Sequence, residues 1–169
     1  MEIRTDRLTL RRARESDLVE VNAIMAHPNA MQYWSTAPHR DLEQTRGWLK
    51  RMIDAPAGTS DDFLIELDGR VIGEVGADPL PEFGFILHPD YWRRGLGYEA
   101  ASAVIHHIFS TRAVGSLTAD VDPRNEGSIG LLRKLGFQKT GEAPRTYCIA
   151  GEWVDSLYFK LDRASRPGT

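Results

Sequence analysis

Hydrophobic positions recur with a period of two in some segments of the chain and of about 3.6 in others, which separates predicted strands from predicted helices. Leu8 and Leu10 alternate with polar neighbours, so a first strand with one buried face is expected there. Two helices follow it. The first ends at the His-Pro-Asn sequence of residues 27–29, and the second begins at Asp41 with Gln44 as its capping partner.

The pattern in the middle of the chain predicts three consecutive antiparallel strands. Residues 63–67 and 71–75 flank an Asp-Gly pair at 68–69, which is typical of a two-residue hairpin turn. A third strand is predicted at 83–87. The elements predicted after it are a helix from about Gly97 to Thr111, a strand at 116–121, a short helix from Asn125 to Leu135, and two strands around 137–148 and 153–161.

Length and charge limit the classes of protein that the chain can represent. Its 169 residues are enough for one domain with a substantial core, so we expect a single domain over 1–162 and a short, polar, mobile tail over 163–169. A formal net charge of -3 gives no general attraction to nucleic acid or to an anionic membrane, so neither partner is expected. The absence of a signal-like start and the single Cys148 favour a cytoplasmic protein.

The segment 88–101 carries the clearest chemical signal in the sequence. It follows a predicted strand and leads into a predicted helix, so Arg93, Arg94, Gly95 and Gly97 lie where that helix begins. The first N–H groups of a helix have no partner within the helix and can donate to a phosphate. Glycine has no Cβ to block the approach of such a ligand. The segment therefore predicts a phosphate-binding site.

Residues 92–100 (Trp-Arg-Arg-Gly-Leu-Gly-Tyr-Glu-Ala) resemble the acetyl-CoA pyrophosphate loop of the GNAT superfamily of N-acetyltransferases. The usual form is Gln/Arg-x-x-Gly-x-Gly/Ala. Trp92 stands at the first place, as is typical of the ribosomal-protein-alanine branch, while Arg93 replaces a small residue. A second segment, 125–137, resembles the family's Asn-x-x-Ser helix that closes in Leu-Gly-Phe, and it follows the loop in the family's order.

The resemblance implies a GNAT fold of the α/β (α+β) class. A mixed, mostly antiparallel sheet flanked by helices would splay open after the strand 83–87, and the pantetheine of acetyl-CoA would lie in the gap. The implied function is direct transfer of acetyl from acetyl-CoA to a primary amine, on a protein N-terminus or a small molecule; a homodimer is left open. Residues expected to contact acetyl-CoA or CoA are Phe85, Ile86, Leu87, Arg93, Arg94, Gly95, Leu96, Gly97, Tyr98, Asn125 and Ser128.

Acetyl transfer needs a neutral amine, a polarised carbonyl and a proton for the leaving thiolate. Glu82 and Glu74 are candidate bases beside the gap, and the alternative for each is a solvated strand carboxylate, which is the favoured expectation for Glu74. By resemblance, Ser128 stands near the sulfur. Leu132 occupies the place where many family members have a catalytic tyrosine. Helix capping is the alternative role for Asn125 and Ser128.

No motif marks the acceptor side of the site. Tyr33 and Trp34, in the irregular segment 31–39, and Tyr147, in a late strand, are expected to line it. Packing of the aromatic segment on its own core is the alternative. Because no cluster of acids accompanies these residues in the sequence, a protein N-terminus or a mono-amine is favoured over a polyamine.

Two other functions stay open. Residues 95–100 also fit the Gly-x-Gly-x-x-Gly/Ala fingerprint of dinucleotide-binding folds, with Asp120 and Asp122 near the distance of a ribose-binding acid. An antiparallel hairpin before the loop and the short chain after it disfavour that fold. The chain could also be a catalytically idle acyl-CoA-binding module. The histidines show no metal-ligand spacing, so no metal is expected.

Overall fold

The structure, a computed structural model, describes residues 1–56 and 58–165. The elements in this part of the chain are, in order, β1 (Glu2–Arg4), β2 (Thr9–Arg11), α1 (Leu18–Met25), α2 (Pro28–Met31), α3 (Leu42–Asp54), β3 (Asp61–Leu67), β4 (Arg70–Ala77), β5 (Phe83–Leu87), α4 (Leu96–Thr111), β6 (Ser116–Val121), α5 (Glu126–Lys134), β7 (Gln138–Ile149) and β8 (Glu152–Asp162).

The strands form two antiparallel sheets that touch at one point. The first sheet has the order β1-β2-β3-β4-β5, and the second has the order β6-β8-β7. A parallel bridge between Glu82 and Thr118 joins them, and there the Thr118 N–H donates to the Pro81 carbonyl at 2.9 Å. Beyond this bridge the described part of β5 pairs only with β4, so a gap opens between β5 and β6. The predicted fold class, a mostly antiparallel splayed sheet flanked by helices, is confirmed.

The hairpin between β3 and β4 fixes the register of the first sheet. Leu67 pairs with Arg70, and the two residues between them, Asp68 and Gly69, have φ values of 51° and 79°. Two consecutive left-handed residues are typical of the mirror-image turns that match the twist of a hairpin. The dinucleotide-binding alternative is wrong, because β3, β4 and β5 are consecutive antiparallel strands and not the parallel strands of a doubly wound sheet.

Helices cover both faces of the first sheet. On one face Phe63 and Val75 belong to a large buried cluster with α4, and on the other face Leu64 and Ile86 belong to a cluster with α1 and α3. Glu74 pairs with Leu64 on one side and with Ile86 on the other, so its side chain points to the α1 and α3 face. A carboxyl group is therefore placed in a row of buried apolar residues.

Two differences from the sequence prediction lie at the ends of the chain. Strand β1 was not predicted, because three mostly exposed residues give no hydrophobic alternation. Arg163 donates to the carbonyl groups of Arg112 and Val114, which anchors the first part of the predicted tail. Residues 166–169 of that tail lie outside the described residues, and the division into one domain and a tail stays a prediction. No helix in the described ranges is long and apolar enough to cross a membrane.

Candidate active site

The turn between β5 and α4 presents a row of backbone N–H groups. In the described part of the chain, the N–H groups of residues 93–98 donate to no backbone carbonyl, and the first helical bond of α4 runs from Glu99 to the Gly95 carbonyl at 3.1 Å. Arg93 and Gly95 have φ values of 59° and 76°. Left-handed residues in such a turn bring successive N–H groups to one side and create an anion-binding concavity.

The β1–β2 turn holds this loop in place. The Glu99 carboxylate accepts hydrogen bonds from the Thr5 hydroxyl at 2.6 Å, the Arg7 N–H at 2.9 Å and the Arg7 guanidinium at 2.7 Å. The Arg7 guanidinium also donates to the Arg94 carbonyl at 2.9 Å. Because Arg7 neutralises the carboxylate in the first turn of α4, that carboxylate does not oppose the binding of an anion at the helix N-terminus.

The open edge of β5 offers further hydrogen-bonding groups. The His88 N–H donates to the Ile72 carbonyl at 2.8 Å, and this bond sets the alternation of β5 against β4. Phe85 and Leu87 therefore point their backbone groups into the gap, where the Leu87 carbonyl accepts a bond from Trp92 Nε1 at 2.9 Å. The backbone of Ile86 faces β4 and its side chain is 4% exposed, so Ile86 offers the gap neither backbone nor side chain.

The two glycines of the loop differ in their roles. Gly95 is the left-handed N-cap of α4, whereas Gly97 lies in the first turn of the helix. A Cβ on Gly97 would lie 3.3 Å from the Leu131 side chain of α5, so the missing side chain at Gly97 also allows the two helices to pack.

Two other predicted contacts have side chains that point elsewhere. Leu96 is buried in the core, and the ring of Tyr98 lies 4.4 Å from Lys134 Nζ.

Helix α5 packs beside the first turn of α4, where Leu131 lies next to Gly97, and β5 and β6, which precede the two helices, run in the same direction from their bridge. Asn125 is the N-cap of α5, and its side-chain oxygen accepts from the Ser128 N–H at 3.1 Å. The capping role considered for Asn125 is therefore present. The half-buried Ser128 hydroxyl makes no hydrogen bond to another described residue. Leu132 is buried in the core.

A cavity of about 310 Å³ lies beside the gap. Phe83 and Gly84 of β5 line it together with Asp120 of β6 and Asp122, which directly follows β6, so it borders both edges of the gap. Seven carboxylates line it: Asp62, Glu74, Asp78, Glu82, Asp120, Asp122 and Asp155. Among the described residues, Arg51 is the one cationic side chain in the lining. The expectation that this pocket lacks clustered acids is wrong, because β3, β4, β6 and β8 each contribute acids that are distant in sequence.

The three predicted acceptor residues line this cavity. Trp34 is half-buried and also packs on the cluster of α1 and α3, so it takes part in both arrangements considered from the sequence. The Arg124 guanidinium lies 5.7 Å from the centre of the Tyr33 ring and is bound to Asp122 at 2.7 Å. The Tyr33 ring therefore lines the cavity, and Arg124, which Asp122 holds in place, packs near this ring without lining the cavity itself.

Tyr147 lies close to the candidate base. Its hydroxyl donates to Asp120 Oδ2 at 3.2 Å. Burial raises the pKa of Tyr147 to about 12, with further contributions from the charges of Asp120 and Glu82. The phenol therefore keeps its proton at neutral pH. Glu82 itself is exposed, lines the cavity and lies at the bridge between the sheets.

Asp62 and Glu74 are buried against each other. They are 8% and 7% exposed, and Gly76, which pairs with Asp62, leaves the space that the Asp62 carboxylate fills. Burial raises the pKa of Asp62 to about 6, and burial together with the charge of Asp62 raises the pKa of Glu74 well above its usual range. The two carboxyl groups act on each other, so the pair holds a proton to a higher pH than a solvated carboxyl group does. The expectation that Glu74 is a solvated strand carboxylate is wrong, because α1 and α3 cover this face of the sheet.

A family model described as an acetyltransferase (GNAT) domain matches residues 7–138 of the chain. The chain belongs to the GNAT family. The L-methionine sulfoximine/L-methionine sulfone acetyltransferase of Pseudomonas paraeruginosa is 31% identical to this GNAT protein over 167 residues, covering 91% of this chain and 94% of the relative. The spermidine N(1)-acetyltransferase of Escherichia coli K12 is 27% identical over 154 residues, covering 88% and 82%.

Solved structures agree with the fold of this GNAT protein. A GNAT-family acetyltransferase from Bacillus anthracis has a TM-score of 0.86 at 22% identity and covers 98% of this chain and 100% of its own. The ribosomal-protein-S5-alanine acetyltransferase from Vibrio fischeri has a TM-score of 0.83 at 21% identity, with coverages of 99% and 100%. Family membership and the named relatives confirm the predicted enzyme class, an N-acetyltransferase.

The buried carboxyl pair predicts a pH-dependent stability. A raised carboxyl pKa means that the folded protein holds the proton more tightly than the unfolded chain does. The resulting stabilisation is full below the unfolded pKa of about 4 and is lost as the pH rises through the folded pKa values. Glu74→Gln should therefore raise the Tm at pH 8 by about 5 °C relative to wild type, and by less at pH 5. Calorimetric melts at the two pH values measure this, with the exposed Glu43→Gln on α3 as control. If the Tm falls between pH 5 and pH 8 by the same amount in wild type and in Glu74→Gln, the buried carboxyl pair does not hold a proton in the folded protein.

Proposed function

We propose that this GNAT protein transfers the acetyl group of acetyl-CoA directly to the primary amine of a small cationic molecule. One observation carries the proposal: a helix N-terminus whose first N–H groups have no backbone partner and a cavity rich in carboxylates both lie beside the gap between β5 and β6. The first suits the pyrophosphate of CoA and the second suits an ammonium group. A thioester in the gap would then lie between its two binding partners.

The residues around the gap fit CoA. The N–H groups of residues 93–98 form a concavity for the pyrophosphate, and Gly95 adopts its left-handed backbone without the penalty that a Cβ imposes. The backbone groups of Phe85 and the N–H of Leu87 lie on an unpaired strand edge that can bind the amides of pantetheine. When bound, acetyl-CoA supplies an activated acetyl thioester.

The acceptor amine must lose a proton before it can attack. Carboxylates around the cavity favour the charged ammonium, which helps binding but opposes deprotonation. A base beside the gap is therefore needed, and we assign this role to Glu82, acting directly or through water. Tyr147, which keeps its proton, orients Asp120 beside this base.

Ser128 is the proposed donor to the departing sulfur. Its hydroxyl is free of other described partners, and it lies in the first turn of α5 at the same open end of the gap as the CoA loop.

The narrower likeness to the ribosomal-protein-alanine branch rests on Trp92 and its neighbours. The named relatives act on different amines, so the choice of acceptor rests on the cavity.

The proposed activity can be tested by amine-dependent release of thiol from acetyl-CoA. We expect turnover with small primary amines, and we expect Glu82→Gln to lower kcat by about 10²–10⁴ while the Kd for CoA changes little. Glu142→Gln, which removes an exposed carboxylate on β7 outside the cavity, is the matched control. CoA binding without turnover of any amine would instead support an idle acyl-CoA-binding module.

The CoA loop is tested by a pair of glycine substitutions. Gly95→Ala forces an alanine into a left-handed backbone, at a cost of about 1–2 kcal/mol, or moves the loop. We expect its Kd for CoA to rise by at least about tenfold. Gly130→Ala is the control, since a Cβ there meets nothing within 4 Å on α5. If calorimetry finds the same CoA affinity for both folded variants, the loop is not the pyrophosphate site.

Ser128→Ala separates catalysis from helix capping. The hydrogen bond from Asn125 uses the Ser128 backbone N–H, which the substitution keeps. Stability should therefore change little, whereas kcat should fall about tenfold if the hydroxyl donates to a developing thiolate. Steady-state kinetics at saturating acetyl-CoA measure the effect. An unchanged kcat would leave Ser128 with no part in the reaction.

A further inference from the structure

Asp62 and Glu74 differ from the acid next to them in how their charge is balanced. Asp61, the preceding residue, is fully buried and bound by Arg112 at 2.6 Å and by Arg12 at 3.1 Å. No described cation forms an ion pair with the side chains of Asp62 or Glu74, although both are more than nine-tenths buried. Both face the cavity, and the two carboxyl groups lie close enough to affect each other's pKa.

The register of the sheet sets the distance from this pair to the gap. Asp62 pairs with Gly76, and Gly76 pairs with Gly84 on the open strand β5, so the three residues form a row across the sheet. Neighbouring strands lie about 4.8 Å apart, so the row spans about 10 Å. Two of its three members are glycines. The Asp62 carboxylate lies over Gly76, and beyond it, at Gly84, a Cβ would meet nothing within 4 Å, so no side chain stands between this carboxylate and the gap along the row.

We propose that Asp62 and Glu74 bind a second ammonium group of the acceptor while its first amine is acetylated at the gap. The inference rests on the proposed function and specifies the acceptor as a short aliphatic di- or polyamine. Trp34 and Trp48 line the same cavity, and their rings provide further favourable surfaces for an organic cation. A mono-amine would leave its apolar tail against two carboxyl groups, which disfavours it.

Binding of the second ammonium group should displace the proton that the pair holds. The ammonium N–H groups replace this proton as donors to the carboxylates, and the proton passes to solvent. Other charges around the pair act on it as well: Asp78 and Asp61 favour retention of the proton, Arg12 opposes it, and Arg51 on α3 lines the same cavity. Acceptor binding is therefore coupled to proton release.

The first experiment compares putrescine with n-butylamine, which share a four-carbon chain and differ in the second amine. We expect wild type to show a kcat/KM for putrescine at least about 100-fold higher. Glu74→Gln and Asp62→Asn should each lower this preference at least about tenfold. Asp155→Asn removes one charge from the same cavity on β8 and should lower it less.

The outcomes separate the inference from the proposed function. If neither amine, nor any other amine, is acetylated, the proposed function fails. Equal use of the two amines, or a preference that survives in both Glu74→Gln and Asp62→Asn, would overturn the subsite while leaving the acetyltransferase intact. Loss of folding does not confuse the result for Glu74→Gln, because that variant is expected to be more stable than wild type.

A second experiment measures the release of the proton held by Asp62 and Glu74 when the amine binds. Calorimetric titration of putrescine into the CoA complex at pH 7, in phosphate and in Tris, gives the number of protons released from the difference in heat. We expect up to about one proton for wild type and clearly fewer for Glu74→Gln. Equal proton release from the two proteins would show that Glu74 does not take part. A residue with a purely structural role would not change this quantity.

Discussion

The proposed function depends on the point at which β5 and β6 stop pairing. β5 and β6 start side by side at the bridge between Glu82 and Thr118, and beyond it β5 leaves backbone donors and acceptors without a partner strand. Unpaired strand edges carry a free-energy cost when they are buried and a risk of aggregation when they are exposed. A ligand with amides of its own satisfies such an edge. The gap between the two sheets is therefore the place where we propose that the extended pantetheine of acetyl-CoA binds.

The rest of the fold places charge at the ends and sides of this gap. Because β5 and β6 run in the same direction, both α4 and α5 begin at the open end, and their N-termini concentrate positive potential there. The carboxylates gather on the other side, in the cavity under α3 and the segment that follows α2. In the proposed reaction, an anionic donor and a cationic acceptor are thereby drawn to opposite sides of one opening, and the arrangement disfavours an exchange of their places.

Local patterns predicted the elements that form the gap, but not the chemistry of the cavity. The bounds of β5 and β6, the Asp68-Gly69 turn and the Asp41 cap follow from neighbours in sequence, and the structure confirms them. The acid cluster could not be found in this way, since its members come together only through strand pairing. Glu74 was misassigned for a related reason: alternation shows that a residue points away from one core, but not that helices cover the second face as well.

Glu74 also shows where stability and function oppose each other. Its row across the sheet, Leu64–Glu74–Ile86, would be more stable with an apolar or neutral residue in the middle, because burial of a carboxyl group without a cation is unfavourable. The adjacent Asp61 demonstrates that the fold can supply arginines to a buried acid when the role is structural. Proteins break the rules of local stability mainly at functional sites. The Asp62 and Glu74 pair, which forms no ion pair with a cation among the described residues, therefore supports our proposal that an ammonium group of the substrate binds there.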